Sequence, residues 1–148
     1  MVGAPAVADA VARAKANPRL RVGLHLVLVE GRPVLPRAEI PDLVNADGNF
    51  REDMVGSAIQ MFCRPSVRQQ LAKEVAAQFE AFRATGLALD HVNAHKHFHL
   101  HPTIAAAILS IGRAYGMRAV RVPLEPGDVI IAAEPSARHR WSCGRLTW

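Results

Sequence analysis

This chain is organised around the segment Asp90-His91-Val92-Asn93-Ala94-His95-Lys96-His97-Phe98-His99-Leu100-His101-Pro102, which holds five of the seven histidines. From His95 to His101, every second residue is a histidine. Side chains alternate faces along an extended chain, so an extended segment would place these four imidazoles on one face. Neutral imidazole is a ligand of zinc and other late divalent metals. The segment therefore predicts a metal centre with one or two of these ligands, because its ends would lie about 20 Å apart.

A weaker interpretation of the same segment stays open. A tract rich in histidine can be a surface chelator or a solvated loop. Here the tract follows an apolar stretch and precedes an apolar helix pattern, which favours a site built into the fold.

Bulk composition excludes several classes of protein. The 148 residues are enough for one domain, and half of them are apolar. The net charge of +5 comes from scattered basic residues with few aromatics, so we predict no nucleic-acid partner. No apolar run is long enough for a transmembrane segment, and the N-terminus does not resemble a secretory signal. Two distant cysteines fit a cytoplasmic location.

Periodicity and breakers predict alternating helices and strands. We expect helices over 5–17, 51–62, 66–85 and 102–115, and strands over 21–29, 87–93 and 117–122. Ser66 and Gln69 suggest a capping box. The order predicts a parallel α/β sheet, with a site at the carboxyl ends of its strands. The long loop 30–50 is a candidate wall of a substrate site. Residues 1–123 form the predicted domain, and 124–148 an irregular C-terminal tail.

His25 lies in the middle of the first predicted strand. Its neighbours are almost all apolar, so the strand is predicted to be buried on both faces. A histidine there is costly unless it is paired. Two interpretations remain open for His25, a satisfied core histidine and a metal ligand.

Two motifs together resemble the YdjC-like carbohydrate deacetylases: Val22-Gly23-Leu24-His25-Leu26 and the histidine tract. Over residues 21–36 and 89–123 the chain resembles most the hopanoid biosynthesis-associated branch. The resemblance implies a partial, irregular TIM-like β/α barrel and a divalent metal, magnesium or zinc, held by one aspartate and two histidines. Those histidines correspond to His25 and His95. The implied reaction removes an N-acetyl group from an amino sugar, and in the hopanoid branch the sugar is lipid-linked N-acetylglucosamine.

Further roles follow from the implied mechanism. His97 and His99 are candidates for supporting the ligands or stabilising an oxyanion. Asp90 is a candidate for orienting a histidine, or it caps backbone N–H groups at a strand end. Arg121 and Glu125 are candidate substrate contacts, or surface residues.

The family's Ala-Asp-Asp-Phe-Gly-like motif, which supplies the metal-binding aspartate and an adjacent acid, has no counterpart in this sequence. We therefore expect a chain truncated at both ends, with weak or absent activity. Asp42, Asp47 or Asp53 can substitute for the missing aspartate only if the loop folds over the site. An open sheet edge predicts a homodimer. The alternatives are an inactive metal-binding or interaction fragment and a metallohydrolase of the amidohydrolase type.

Overall fold

A computed structural model of the protein describes residues 1–123. Four helices and two short strands follow one another in the predicted order. They are α1 (Val7–Ala16), β1 (Leu24–Leu26), α2 (Met54–Cys63), α3 (Pro65–Ala84), β2 (Val92–Ala94) and α4 (Pro102–Ala114), with a 3-10 segment, His95–Leu100, between β2 and α4. None of the helices in the described part combines the length and apolar character that a membrane span requires. Glu125 and the predicted tail lie outside the described residues.

The sheet is parallel, as the alternation of elements predicts. β1 pairs with β2 so that His25 lies directly opposite Asn93. On the other edge of β2, Val92 forms an isolated parallel bridge with Val120, in the third predicted strand. The backbone N–H of Val92 donates to Ala119, and that of Arg121 donates to Val92, each at 2.9 Å. The prediction of an α/β protein with a parallel sheet is confirmed.

The strands are shorter than predicted, and a side chain binds the backbone directly after β1. Beyond Leu26, the backbone N–H of Val27 donates to Oε1 of Gln78 at 3.0 Å. Nε2 of Gln78 donates to the carbonyl oxygen of Val27 at 2.7 Å. One residue of α3 thus satisfies both backbone groups of Val27, which, by the alternation from Leu24, face the edge of β1 that is opposite β2. The apolar run over 21–29 continues into the core without being strand along its whole length.

The helices bury the faces that the sequence predicts. On α3, the apolar residues at helical spacing are all buried: Val67, Leu71, Val75, Phe79 and Phe82. On α4, Ile104 and Ile108 are buried and face the same core. Burying one such side chain fully contributes about 1.5–3 kcal/mol. The short strands therefore pack against the core that the buried faces of α3 and α4 form.

The start of α3 differs from the prediction, whereas its end agrees. Pro65 occupies the first helical position, and Arg64 is the N-cap without a side-chain hydrogen bond. The predicted capping box of Ser66 and Gln69 is wrong, because Ser66 already lies inside the helix. Gly86, at φ 72°, adopts the left-handed conformation that commonly follows a helix.

Candidate active site at the carboxyl ends of the strands

His25 is oriented by its partner across the sheet. The register places it opposite Asn93, and its Nδ1–H donates to Oδ1 of Asn93 at 2.6 Å. Because an amide oxygen only accepts, Nε2 carries the ring's lone pair. Burial lowers the pKa of His25, with the Asn93 hydrogen bond acting in the opposite direction. The result is a neutral imidazole with one nitrogen fixed by the protein and the other able to ligate a cation.

His95 follows β2 directly and lies beside His25. The centroids of the two rings are 5.8 Å apart, with an interplanar angle of 74°. Two imidazoles bound to one zinc through bonds of about 2.1 Å would have centroids roughly 5–6 Å apart. The structure thus brings together two histidines separated by 70 positions, and their spacing fits a shared ion.

A carboxylate that the sequence did not single out lies near His95. Oε2 of Glu30 lies 3.8 Å from Nε2 of His95, and the other oxygen of Glu30 accepts from Lys96. The hydrogen bond from Lys96 lowers the pKa of the Glu30 carboxyl. Glu30 comes shortly after β1, at the carboxyl end of a strand. This position is the sequence signal that could have suggested Glu30, because the carboxyl ends of the strands face the site in parallel sheets.

The backbone bends sharply around these residues. Glu30, Lys96 and His97 have φ values of 49°, 51° and 55°, in the left-handed region that residues other than glycine rarely adopt. At Lys96 and His97 the conformation costs about 1–2 kcal/mol per residue. The prediction of an extended tract is therefore wrong, because the chain leaves β2, reverses and enters a 3-10 segment. Conformations of this kind concentrate at functional sites.

His99 stabilises the bend through hydrogen bonds to the backbone. It is buried, its Nδ1 accepts from the N–H of Ala94 at 3.2 Å, and its Nε2–H donates to the carbonyl oxygen of Arg121 at 2.9 Å. Burial is the main cause that lowers the pKa of His99. Because both ring nitrogens serve the backbone, His99 has no nitrogen left to face a substrate.

The other histidines of the tract lie in different places. His97 is exposed, with its ring centroid 5.9 Å from that of His99. His101 lies at the N-cap of α4, with its ring 6.2 Å from that of Phe62 on α2. The four histidines from His95 to His101 therefore do not share one face, and only His95 of these four stands beside His25.

Asp90 lies at the opposite end of the sheet. It precedes β2 and accepts from Nδ1 of His91 at 3.0 Å and from Arg21 at 3.3 Å. The hydrogen bond from His91 is the main cause that lowers the pKa of Asp90. The structure therefore does not bring Asp90 to the paired histidines, and the histidine that it contacts is His91.

The remaining candidates make other contacts. Arg121 is exposed and contributes its carbonyl oxygen to His99. Asp42 accepts from Gln70 at 2.7 Å, and Asp53 is the N-cap of α2. Asp42 therefore helps to hold the loop 30–50, and Asp53 caps α2.

A polar groove begins at Glu30 and runs along the loop 30–50. Its volume is about 710 Å³, and its lining includes Asn45, Asp47, Asn49 and Glu52. The turn is held by Asn45, whose Oδ1 accepts from the N–H groups of Asp47 and Asn49, each at 3.0 Å. Amide and carboxylate groups of this kind can hydrogen-bond a ligand rich in hydroxyl groups.

Two imidazoles of the right spacing satisfy part of a metal's coordination. Among residues 1–123, no three histidine, cysteine, aspartate or glutamate side chains already converge closely enough to hold an ion. His25 and His95 fit as ligands by ring spacing and by the tautomer that Asn93 imposes. The described site thus offers two nitrogen donors and one nearby carboxylate.

Comparison with known proteins identifies the family. The YdjC-like protein family matches residues 1–147. A carbohydrate deacetylase of Oceanobacillus iheyensis is 34% identical over 130 residues, covering 88% of this chain and 52% of that protein. A carbohydrate deacetylase of Vibrio vulnificus strain CMCP6 is 39% identical over 150 residues, covering 96% of this chain and 52% of that protein. The chain therefore spans about half the length of these curated relatives.

A solved structure shows the same fold. The crystal structure of a protein from Enterococcus faecalis V583, named for cellobiose-phosphate cleavage, matches with a TM-score of 0.70 at 24% identity. The match covers 86% of this chain and 48% of that one. At this identity the likeness concerns the fold alone. The family match over residues 1–147 shows that this chain, which carries β1, β2 and the two histidines, belongs to the YdjC-like protein family.

Proposed function

We propose that this chain carries the metal-binding part of a carbohydrate deacetylase, which hydrolyses the N-acetyl group of an amino sugar to acetate and a free amine. The observation that carries the proposal is the convergence of His25, in β1, and His95, directly after β2, whose ring centroids are 5.8 Å apart. The relatives named carbohydrate deacetylase support the same reaction class.

In this proposal His25 and His95 hold a divalent metal. Asn93 fixes the ring of His25, and the bend at Lys96 and His97 directs the chain after His95 away from the sheet. A bound zinc or magnesium ion would polarise the acetyl carbonyl and make water a better nucleophile at neutral pH. Nitrogen donors favour zinc, whereas the family resemblance also allows magnesium.

The sugar is proposed to lie in the groove that begins at Glu30. Glu30 lines this groove and lies 3.8 Å from His95, and amide and carboxylate groups of the loop 30–50 line the rest of it. This assigns the long loop as a wall of the substrate site. The resemblance to the hopanoid branch favours N-acetylglucosamine linked to a hopanoid lipid as the substrate.

The architecture proposed for the whole fold is an irregular TIM-like β/α barrel, supported by the parallel pairing of β1 with β2 and by the likeness to a solved member of the fold. We also propose a cytoplasmic protein that forms a homodimer. Light scattering on the purified chain tests the oligomer, and a monomer across the micromolar range would contradict it.

Acetate release is the test of function. The purified chain, supplied with zinc or magnesium, is incubated with N-acetylglucosamine oligosaccharides and with an N-acetylglucosaminyl hopanoid. We expect weak release that disappears in His25→Ala and His95→Ala and persists in His91→Ala. His91 is the matched control because it belongs to the same tract but lies at the other end of the sheet.

Other substrates separate the alternatives. Hydrolysis of cyclic amides instead of N-acetyl sugars would favour an amidohydrolase-type enzyme. Zinc binding by the chain without any hydrolysis would favour an inactive metal-binding fragment.

A further inference from the structure

The outward face of α2 is apolar, which is the reverse of the usual arrangement. Val55, Ile59 and Phe62 recur at helical spacing and are 66%, 58% and 58% exposed. The buried residues of the same helix are Ser57 and Met61. A surface helix normally turns its apolar stripe towards the core. Within the described part of the chain, the stripe of Val55, Ile59 and Phe62, here called the α2 stripe, instead faces solvent.

The two helices that meet beside the α2 stripe lack charged side chains. α2 has no Asp, Glu, Lys or Arg over residues 54–63, although such residues make up 21% of the chain. The helix α4, which packs against α2, has none over residues 102–112. The ring of Phe62 lies 6.2 Å from that of His101, the N-cap of α4. Exposed apolar side chains in surroundings depleted of charge are typical of the centre of a protein–protein interface.

The charges at the two ends of α2 have opposite sign. Glu52 precedes the helix, and Asp53 is its N-cap. At the other end, Nη1 of Arg68 donates to the carbonyl oxygen of Phe62 at 3.2 Å. Neither Glu52 nor Arg68 forms an ion pair with another of the residues 1–123. A surface with an acidic end, an apolar middle and a basic end is complementary to a copy of itself rotated by a twofold axis.

We propose that α2 docks antiparallel against α2 of a second copy of this chain; this rests on the homodimer of the proposed function and assigns its contact surface. A twofold axis that crosses the helix near Ile59 brings the two Ile59 side chains together and places Val55 of each copy against Phe62 of the other. The same rotation brings Glu52 of each copy towards Arg68 of the other and sets the two helix dipoles in opposite directions. Because a helix of 10 residues is only about 15 Å long, the contact is small, and the association is weak and reversible.

The alternative for these charges is that they serve α2 alone. Acidic residues before a helix and basic residues after it complement its own dipole, and Arg64 at the basic end already contacts Asp42 at 4.0 Å. That explanation does not account for the exposed α2 stripe. A bilayer with anionic headgroups would cover an apolar stripe, but it would repel the carboxylates of Glu52 and Asp53. Reversal of charge separates these explanations, since only a second copy supplies the opposite charge at each end.

Sedimentation velocity across the micromolar range tests the surface. The unmodified chain is compared with Ile59→Glu and with the control Leu20→Glu, after circular dichroism has confirmed equal helix content. Leu20 is a matched control because it is 60% exposed, against 58% for Ile59, but lies between α1 and β1. Ile59→Glu places two carboxylates face to face across the axis, so we expect the dissociation constant of the dimer to rise at least about tenfold, whereas Leu20→Glu should change it less than about twofold.

Charge reversal tests the antiparallel orientation. Glu52→Lys or Arg68→Glu alone places like charges together in both symmetric contacts, and we expect each to weaken the dimer about fivefold. The double variant restores opposite charges, so its dissociation constant should return to within about twofold of that of the unmodified chain. A double variant that is no tighter than either single variant would overturn the antiparallel pairing.

Disulfide formation gives a second test of the orientation. In a chain that carries Cys63→Ser and Cys143→Ser, the further change Ile59→Cys should allow a crosslink between the copies on oxidation. In a chain that carries only Cys143→Ser, the two Cys63 residues lie roughly 13 Å apart along antiparallel helices, too far for a disulfide. A crosslink through Cys63 in place of one through position 59 would indicate parallel helices and overturn the proposal.

A chain that stays monomeric throughout the micromolar range would overturn the proposal, as would a dimer that persists in Ile59→Glu. In the second case the homodimer stands and another surface forms it. Binding to vesicles of phosphatidylcholine and phosphatidylglycerol that Ile59→Glu abolishes, without any dimer, would assign the α2 stripe to a membrane instead. None of these readouts depends on hydrolysis, so a failure to release acetate would refute the deacetylase function and leave the α2 contact in place.

Discussion

Replacement of Gln78 by leucine tests how the loop that carries Glu30 is held. Gln78 is 2% exposed and satisfies both the N–H and the carbonyl oxygen of Val27, which is itself buried. Leucine has a similar volume and no hydrogen-bonding group, so the change leaves two buried backbone groups without their partner. Each such group costs about 1–3 kcal/mol. After the gain from a more apolar side chain, we expect the free energy of unfolding to fall by about 3 kcal/mol.

Urea unfolding followed by circular dichroism measures this change. Gln70→Leu is the control on the same helix, since Gln70 also accepts from a backbone N–H, that of Asp42 at 2.9 Å, but in a partly exposed position where water can replace it. For the control we expect a loss of about 1 kcal/mol or less. A loss below 1 kcal/mol in Gln78→Leu, or equal losses in the two variants, would refute the view that Gln78 substitutes for a neighbouring strand.

Two further predictions concern buried ionisable groups. In His99→Leu, the Ala94 N–H and the Arg121 carbonyl lose their partner, so urea unfolding should show a loss of about 2–3 kcal/mol at pH 7.5; an unchanged midpoint would contradict this. Burial raises the pKa of Glu74 above its ordinary 4.5. The folded state therefore takes up this proton at a higher pH than the unfolded state, so the stability of the chain relative to Glu74→Gln should increase as the pH falls from 7 towards 4.5; a constant difference in the free energy of unfolding across that range would refute the assigned direction.

The helices could be predicted because their signals are local. Pro65 and Pro102 stand at the first positions of α3 and α4, and Gly86 stands just beyond the end of α3. The apolar spacing also gave the buried face of α3. Parallel pairing followed from the alternation of elements, which constrains how strands can be connected.

The histidine tract shows where local signals fail. Alternation from His95 to His101 indicates an extended chain, but the structure has Lys96 and His97 in the left-handed region. The contacts that stabilise this bend come from distant parts of the chain: Glu30 accepts from Lys96, and the carbonyl oxygen of Arg121 accepts from His99. The sequence of the tract alone therefore does not indicate these partners.

The two candidate ligands could be predicted from the sequence, whereas the nearby carboxylate could not be singled out. His25 and His95 were chosen through a family resemblance, and the register then placed them side by side. Glu30 follows β1 in a loop rich in proline and glycine, where several acidic residues compete as candidates. What singles it out is its distance of 3.8 Å from His95, which depends on two chain segments that are 65 positions apart.

The register of a very short sheet therefore determines the chemistry of the site. Side chains alternate along a strand, so a slip of one residue between β1 and β2 would move Asn93 away from His25 and turn the next residue towards it. With only three pairs of residues, the sheet alone stabilises the observed register only weakly against such a slip. The side chains of Gln78 and His99 restrict it, because each binds the backbone just beyond or at the end of a strand: Gln78 at Val27 and His99 at Ala94. The buried polar residues of this chain thus act on the candidate site by fixing where its two histidines meet.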